Sequence, residues 1–237
     1  MKEFSLNSLF SLADFTFLKL TDKETMPWQC LSLLTSFFHS YKQYKIEIDL
    51  PPSVYLKNPK QISIGKNTVV EPGAYIEGPC IIGENCEIRH GAYIRPFVFA
   101  SNGSVIGHAT EVKHSILLPF AKAAHFAYVG DSILGRGVNL GAGVKCANFR
   151  LDEKPIVIFI NGKKVATNLS KMGAIIGDNT QIGCNTVLNP GTMIGKDSIC
   201  YSSLSLQGTI PANTIVKSQT RILIRQKRKT ACSCLNF

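Results

Sequence analysis

Nowhere in the 237 residues does an apolar run approach the roughly eighteen positions that a membrane-spanning helix needs. No secretory leader is expected either. Met1 to Phe17 is apolar in patches, but Glu3 and Asp14 interrupt it and no small-residue cleavage site follows, so this stretch is expected to be structure. Acid is absent from the end of the sequence. From Lys217 onward there are six basic residues (Lys217, Arg221, Arg225, Lys227, Arg228 and Lys229) and no Asp or Glu, which accounts for six of the ten net positive charges. Such a tail suits a polyanion, a membrane surface or a solubilising end. No aromatics interleave with it and no nucleic-acid-binding module accompanies it, which sets nucleic acid aside as a partner. A zinc site is also not provided for, because Cys232 and Cys234 are two ligands short of one. The other six cysteines (Cys30, Cys80, Cys86, Cys146, Cys184 and Cys200) lie singly at apolar or repeat positions, as buried free thiols do in a reducing cytoplasm. What remains is an ordinary globular balance, 45% hydrophobic and 18% charged, in a chain long enough for a sizeable core.

What is present is a repeat. An apolar or small residue recurs every six positions at Ile64, Val70, Ile76, Ile82, Ile88, Ile94, Ala100, Ile106, Val112 and Leu118, and again at Ile176, Ile182, Leu188, Ile194, Cys200 and Leu206. Gly often follows, as at Gly65, Gly83, Gly107, Gly177, Gly183 and Gly195. A helix needs a period near 3.6 and an ordinary strand a period of 2. Period six fits short strands that each point one aliphatic side chain inward, with a turn between them. Three such sides close a triangular coil of about eighteen residues, and stacked coils bury a continuous aliphatic column. The pattern predicts an all-β solenoid, a parallel β-helix, without giving its hand.

Three pieces lie outside the repeat. Residues 1–45 hold Leu31, Leu34, Phe37 and Phe38 at helical spacing and are expected to form a helical cap over one open end of the coil. Residues 46–216 are the β-helix domain, interrupted at 154–168 by apolar residues around Asn161-Gly162 that predict a protruding β-hairpin. Residues 217–237 are the basic tail.

Unusual polar chemistry concentrates in residues 95–149. Arg95 and Lys113 are eighteen apart, so an uninterrupted coil stacks them on adjacent turns. Two such cations either bracket an anion, for which a guanidinium fork and an ammonium suit a phosphate, or pair with Glu111 or Glu87. His125 is either a general base for an amine or hydroxyl, or a packing residue. Gly141-Ala142-Gly143 leaves backbone amides open to a ligand.

Arg95-Pro96, Glu111-Val112-Lys113, His125-Phe126-Ala127-Tyr128-Val129-Gly130-Asp131, Asn139-Leu140-Gly141-Ala142-Gly143 and Asn148 together resemble the acetyltransferase domain of the bifunctional enzymes that make UDP-N-acetylglucosamine. The stretch with Lys171-Met172-Gly173-Ala174-Ile175-Ile176-Gly177-Asp178 is similar to the C-terminal domains of archaeal-type sugar-1-phosphate nucleotidylyltransferases. The resemblance implies a left-handed hexapeptide-repeat β-helix and a cytoplasmic homotrimer with its site between subunits. It implies that Arg95, Lys113, Tyr128 and Asn139 hold an amino sugar phosphate, the first two on its anionic groups. His125 would take a proton from the amine of glucosamine 1-phosphate, which then attacks the thioester of acetyl-CoA. Ala142, Asn148, Cys184 and Ser202 would line the CoA site, with Arg221 or Arg225 of the tail adding a cation. Phe149 stands where the family usually has Tyr, and Cys184 and Ser202 where it usually has Ser and Ala. The Gly-rich nucleotide-binding half is not in this sequence, which implies a separate uridylyltransferase or a different substrate altogether. Galactosamine 1-phosphate or another sugar is the alternative acceptor, and a non-catalytic sugar-nucleotide-binding subunit is the alternative role. His90, His108, His114 and His125 lack the triad that the metal-dependent carbonic anhydrase branch of the fold requires, so no metal is expected.

Overall fold

The computed structural model describes residues 2–11, 13–15 and 25–219. Each coil lays down three short strands, and each strand hydrogen-bonds to its equivalents in the coils before and after. The result is three parallel sheets of eight strands, with no sheet pairing strands that are adjacent in sequence. In chain order, face 1 begins with Ile62–Ile64, face 2 with Val69–Val70 and face 3 with Tyr55–Lys57 and Tyr75–Glu77. This is the predicted parallel β-helix. Ile64, Val70, Ile76, Ile82, Ile88, Ile94, Ala100, Ile106 and Val112 all point into one buried column, as do Ile176, Ile182, Leu188, Ile194 and Cys200. Each aliphatic side chain so buried stabilises the coil by about 1.5–3 kcal/mol.

The repeat is less uniform than its opening turns. On face 1 the stacked partners run Ile64, Ile82, Ala100, Leu117, Leu134, Ile176, Ile194 and Ile210. The coil therefore has eighteen residues at first, then seventeen twice; the fifth interval spans forty-two because it contains the hairpin, and the last two span eighteen and sixteen. Leu117, not the expected Leu118, continues the inner column, while Leu118 is buried in a second apolar cluster. Each seventeen-residue coil loses its residue at the corner from face 3 to face 1, where His114 and Asp131 both adopt positive φ (43° and 48°). Those two corners carry much of the site described below.

The second cluster corrects two expectations. Helix α1 (Leu6–Leu9) and helix α2 (Gln29–Ser40) do not sit over the end of the coil. Leu31, Leu34 and Phe38 pack instead on the outward side chains of face 1, including Ile116, Ile133, Ile175 and Met193. The hairpin of Val157–Ile160 and Lys163–Ala166 turns at Asn161-Gly162 as predicted, but it lies down on the same face. Its Ile156, Ile158 and Ile160 are buried there, and Thr209 Oγ1 donates to the Phe159 carbonyl at 2.9 Å. The open end near the N-terminus is covered by the aliphatics of residues 46–56, with Ile46 bridging to Ile64. Face 1 is thus apolar inside and out, whereas faces 2 and 3 alternate buried and exposed residues and stay open to ligands.

Asp178 fastens the first segment to the coil. Its carboxylate accepts from the backbone N–H groups of Arg136 at 2.8 Å and Ser11 at 3.2 Å, and Arg136 in turn pairs with Asp14 at 3.1 Å.

Candidate active site

Face 3 presents the residues Tyr93, Glu111, Tyr128 and Lys145 directly above one another on consecutive coils. Two residues beyond Tyr93 and Glu111 come Arg95 and Lys113, stacked as their spacing predicts, with the Arg95 backbone N–H donating to the Val112 carbonyl at 2.9 Å. Neither cation is free. Arg95 Nη1 lies 2.9 Å from Glu111 Oε1, and its guanidinium sits 5.9 Å from the centre of the Tyr93 ring. Lys113 Nζ lies 3.1 Å from Asp131 Oδ2. Glu87, the other weighed partner, pairs with Arg89.

Asp131 is the most buried charged side chain of this face. His114 Nδ1 donates to its Oδ1 at 2.8 Å, and the Asn148 amide donates to Oδ2, which Lys113 also approaches. Burial by itself would push this carboxyl up, but the His114 and Asn148 hydrogen bonds and the Lys113 charge outweigh it and hold the pKa below its ordinary value. Beside it opens a cleft of about 510 Å³ over face 3. Glu111, Tyr128, Lys145 and Asn148 line it, and the exposed rings of Phe126 and Phe149 flank it. Burial, followed by the Glu111 and Asp131 charges, pushes the Tyr128 phenol up, so its hydroxyl is kept as a donor.

The edge between faces 2 and 3 carries a column of histidines. His90 Nδ1 contacts the Pro72 carbonyl at 2.6 Å and His108 Nδ1 the His90 carbonyl at 2.8 Å, and their rings stack at 5.5 Å. His125 is the partner of His108 on the next coil. Here the pattern breaks: Phe126 N–H donates to the His108 carbonyl, as Ala109 N–H does to that of His90, but the His125 ring does not join it. The His125 ring is exposed and makes no hydrogen bond within the described residues, its neighbour being the Phe126 ring at 6.4 Å. Gly143 N–H donates to the His125 carbonyl at 3.0 Å, Asn185 to Ala142 at 2.8 Å and Ser203 to Cys184 at 2.9 Å. His125, Ala142, Cys184 and the Ser202 turn therefore follow one another along this edge. Asn139 lies on face 2, where it shares a cleft of about 600 Å³ with Gly141, Cys184, Tyr201 and Ser202.

A sequence family described as the GMPPB C-terminal domain matches residues 76–172. The bifunctional protein GlmU of Methanococcus maripaludis is 33% identical over 208 residues, 85% of this chain and 48% of that protein. A bifunctional sugar-1-phosphate nucleotidylyltransferase/acetyltransferase of Sulfurisphaera tokodaii is 38% identical over 150 residues, 56% of this chain and 37% of its own. The putative uncharacterized acetyltransferase YaiX of Escherichia coli is 34% identical over 154 residues, covering 65% of this chain and 67% of YaiX. The chain belongs to the hexapeptide-repeat acyltransferases. It spans about half or less of the length of the bifunctional relatives.

In this chain the expected site residues fall into three groups. Arg95, Lys113, Tyr128 and Asn148 gather on face 3, where Asn148 lies against Asp131. His125, Ala142, Cys184 and Ser202 follow the neighbouring edge, and Asn139 adjoins their far end. Arg221 and Arg225, like Cys232 and Cys234, lie outside the described residues. Among the described residues no group of three or more metal-ligating side chains forms. Sequence reading missed the roles of Asp131 and His114. The available signal was their place in the two shortened corners, which appears only once coils are counted as seventeen.

The cysteines need one correction. Cys30, Cys80, Cys86, Cys146 and Cys200 are buried as expected, but Cys184 is exposed in the face 2 cleft. Burial pushes the Cys30 and Cys146 thiols up to about 12 and Cys200 to about 11, leaving no reactive thiolate there at neutral pH. Iodoacetamide on the native protein is therefore expected to alkylate Cys184 and spare the five buried thiols, as read by peptide mass spectrometry. Saturating CoA should slow that labelling if Cys184 lies at the donor site.

Proposed function

We propose that the protein transfers the acetyl group of acetyl-CoA to the amine of an amino sugar phosphate, glucosamine 1-phosphate in the first instance. The observation that carries this reading is the grouping of Arg95, Lys113, Tyr128 and Asn148 on face 3, beside the cleft that Tyr128 and Asn148 line, with the exposed imidazole of His125 three residues before Tyr128. Arg95 and Lys113 are each neutralised by one carboxylate in the free protein, so the acceptor phosphate has to share them with Glu111 and Asp131. Charge-assisted contacts of this kind bind and orient the sugar. His125 accepts the ammonium-derived proton as the amine attacks the thioester carbon. Backbone amides, for which the Gly141–Gly143 turn is the candidate, stabilise the oxyanion. Collapse of the tetrahedral adduct breaks the C–S bond, and His125 returns the proton to the departing thiolate, giving the N-acetyl sugar phosphate and free CoA.

The relative from Sulfurisphaera tokodaii carries the name of an acetyltransferase together with that of a sugar-1-phosphate nucleotidylyltransferase, and YaiX carries the name of an acetyltransferase. These names support the assignment of the chemistry to this chain. We further propose a homotrimer, in which the Ala142–Cys184–Ser202 edge and the Asn139 cleft of face 2 complete a site with face 3. The separate position of these surfaces in a single chain supports that arrangement. A cytoplasmic setting fits the five buried free thiols, and no helix of the described residues is long and apolar enough to cross a membrane.

The test is CoA-thiol release from acetyl-CoA with glucosamine 1-phosphate, galactosamine 1-phosphate and unphosphorylated glucosamine. Two charge-assisted contacts to phosphate predict a preference of roughly 10- to 100-fold in kcat/KM for the phosphorylated sugars. Release that ignores the phosphate contradicts the role of Arg95 and Lys113, and preference for galactosamine 1-phosphate changes the acceptor while keeping the reaction.

A further inference from the structure

A continuous set of hydrogen bonds links helix α2 to the floor of the face 3 cleft. Thr35 Oγ1 on α2 lies 2.9 Å from His114 Nε2. His114 Nδ1 lies 2.8 Å from Asp131 Oδ1, and the other Asp131 oxygen receives Lys113 at 3.1 Å and the Asn148 amide. A carboxylate accepts only, so His114 donates through Nδ1, and its Nε2 makes the second hydrogen bond with the Thr35 hydroxyl. Both ring nitrogens are thereby committed, and the ring is wedged edge-on to Phe97 at 6.1 Å. His114, Asp131 and Asn148 occupy the same corner on three consecutive coils, and the first two are held in the left-handed backbone region. Non-glycine residues persist there only where surrounding contacts fix them.

We propose that Asp131 is a positioning residue of the acyl-transfer site, holding Lys113 and Asn148 in place, and that Thr35 of helix α2 sets its geometry through His114. The inference rests on the acyltransferase reading of the cleft. It gives the N-terminal segment a function beyond covering face 1. Thr35 touches neither substrate, so its effect on turnover passes through the His114 ring alone. Thr35→Val keeps the shape and removes the hydroxyl, while Thr35→Ser keeps the hydroxyl.

Two measurements on the full chain decide the matter. Amide hydrogen exchange reports whether the link exists without reference to any reaction. Protection of the segments around 112–116 and 129–132 should fall in Thr35→Val and return to wild type in Thr35→Ser. Steady-state kinetics report whether the link positions the site. Thr35→Val should lower kcat/KM for the sugar phosphate by about 3- to 10-fold, the range for one lost hydrogen bond. Most of that loss should appear in KM, because Lys113 holds the phosphate in ground and transition states alike. Thr35→Ser should restore it. Unchanged exchange in Thr35→Val overturns the link whatever the chemistry. Altered exchange with unchanged kinetics, or equal loss in Val and Ser variants, overturns the positioning role. Absence of turnover in the wild type counts against the acyltransferase reading, and the exchange result then decides the link by itself.

Discussion

His125→Ala is expected to lower kcat for acetyl transfer by roughly 10²- to 10⁴-fold, the range for loss of a positioned general base. KM for both substrates should stay near the wild-type value, since the imidazole acts on a proton and is not among the residues placed on the phosphate. Stability should be unaffected as well. The ring is exposed, and no hydrogen bond within the described residues depends on it. The combination separates this variant from the neighbouring histidines. His108 donates to a backbone carbonyl of the preceding coil and stacks on His90, so its loss should be felt mainly in local order. A His125→Ala enzyme with wild-type kcat would move the base elsewhere. Equal loss in kcat and melting temperature would make His125 a packing residue, the role weighed against catalysis in the sequence.

Gly107→Ala is expected to prevent stable folding. Gly107 lies in the strand Val105–His108, directly under Lys122–His125, with Ile106 opposite Ala123 and His108 opposite His125. A Cβ at this position would fall on the backbone carbonyl of Ala124, with no flexible side chain to move aside. Stacked strands in a sheet are held about 4.8 Å apart by their hydrogen bonds. To admit the methyl group, the two coils must part and give up bonds on both sides of the histidine column. Loss above about 4 kcal/mol is the expected scale, in the class of substitutions with a named steric cause. Lys122→Ala on the facing strand, where the side chain is exposed, should stay within about 0.5 kcal/mol of wild type. Thermal unfolding and soluble yield of the two variants make the comparison. A Gly107→Ala protein that melts with the wild type would mean that the coils do not stack in this register.

Much of this architecture could be read from residue spacing. The six-residue period from Ile64 to Val112 predicted the coil, and the pairing of Ile94 with Val112 agrees with it. The reading slipped at Leu118 because a corner can lose a residue without any change in composition. A five-residue step looks like the end of a run until the next coil is laid beside it. The position of helix α2 was hidden for a different reason. Its Leu31, Leu34 and Phe38 announce an apolar stripe but not the surface that receives it. That surface was legible in a pattern of another kind. Strands such as Ala174–Ile176 and Thr192–Ile194 are buried at every position, and only face 1 repeats this from coil to coil. A sheet face that is apolar on both sides needs a cover. At the site, Arg95, Lys113 and Tyr128 came together because register alone places them. Asp131 stood in the recognised stretch, but its link to Thr35 depends on how a helix far away in sequence docks, which no local spacing encodes.

The most direct test of the account is to identify the product formed when the protein is mixed with acetyl-CoA and glucosamine 1-phosphate. Mass spectrometry and proton NMR of the small-molecule fraction would locate the transferred group. The account predicts one acetyl group in amide linkage at the sugar amine, the phosphate intact, and one free CoA for each acetylated sugar. Free acetate without acetylated sugar, or both ligands bound and neither consumed, would contradict it.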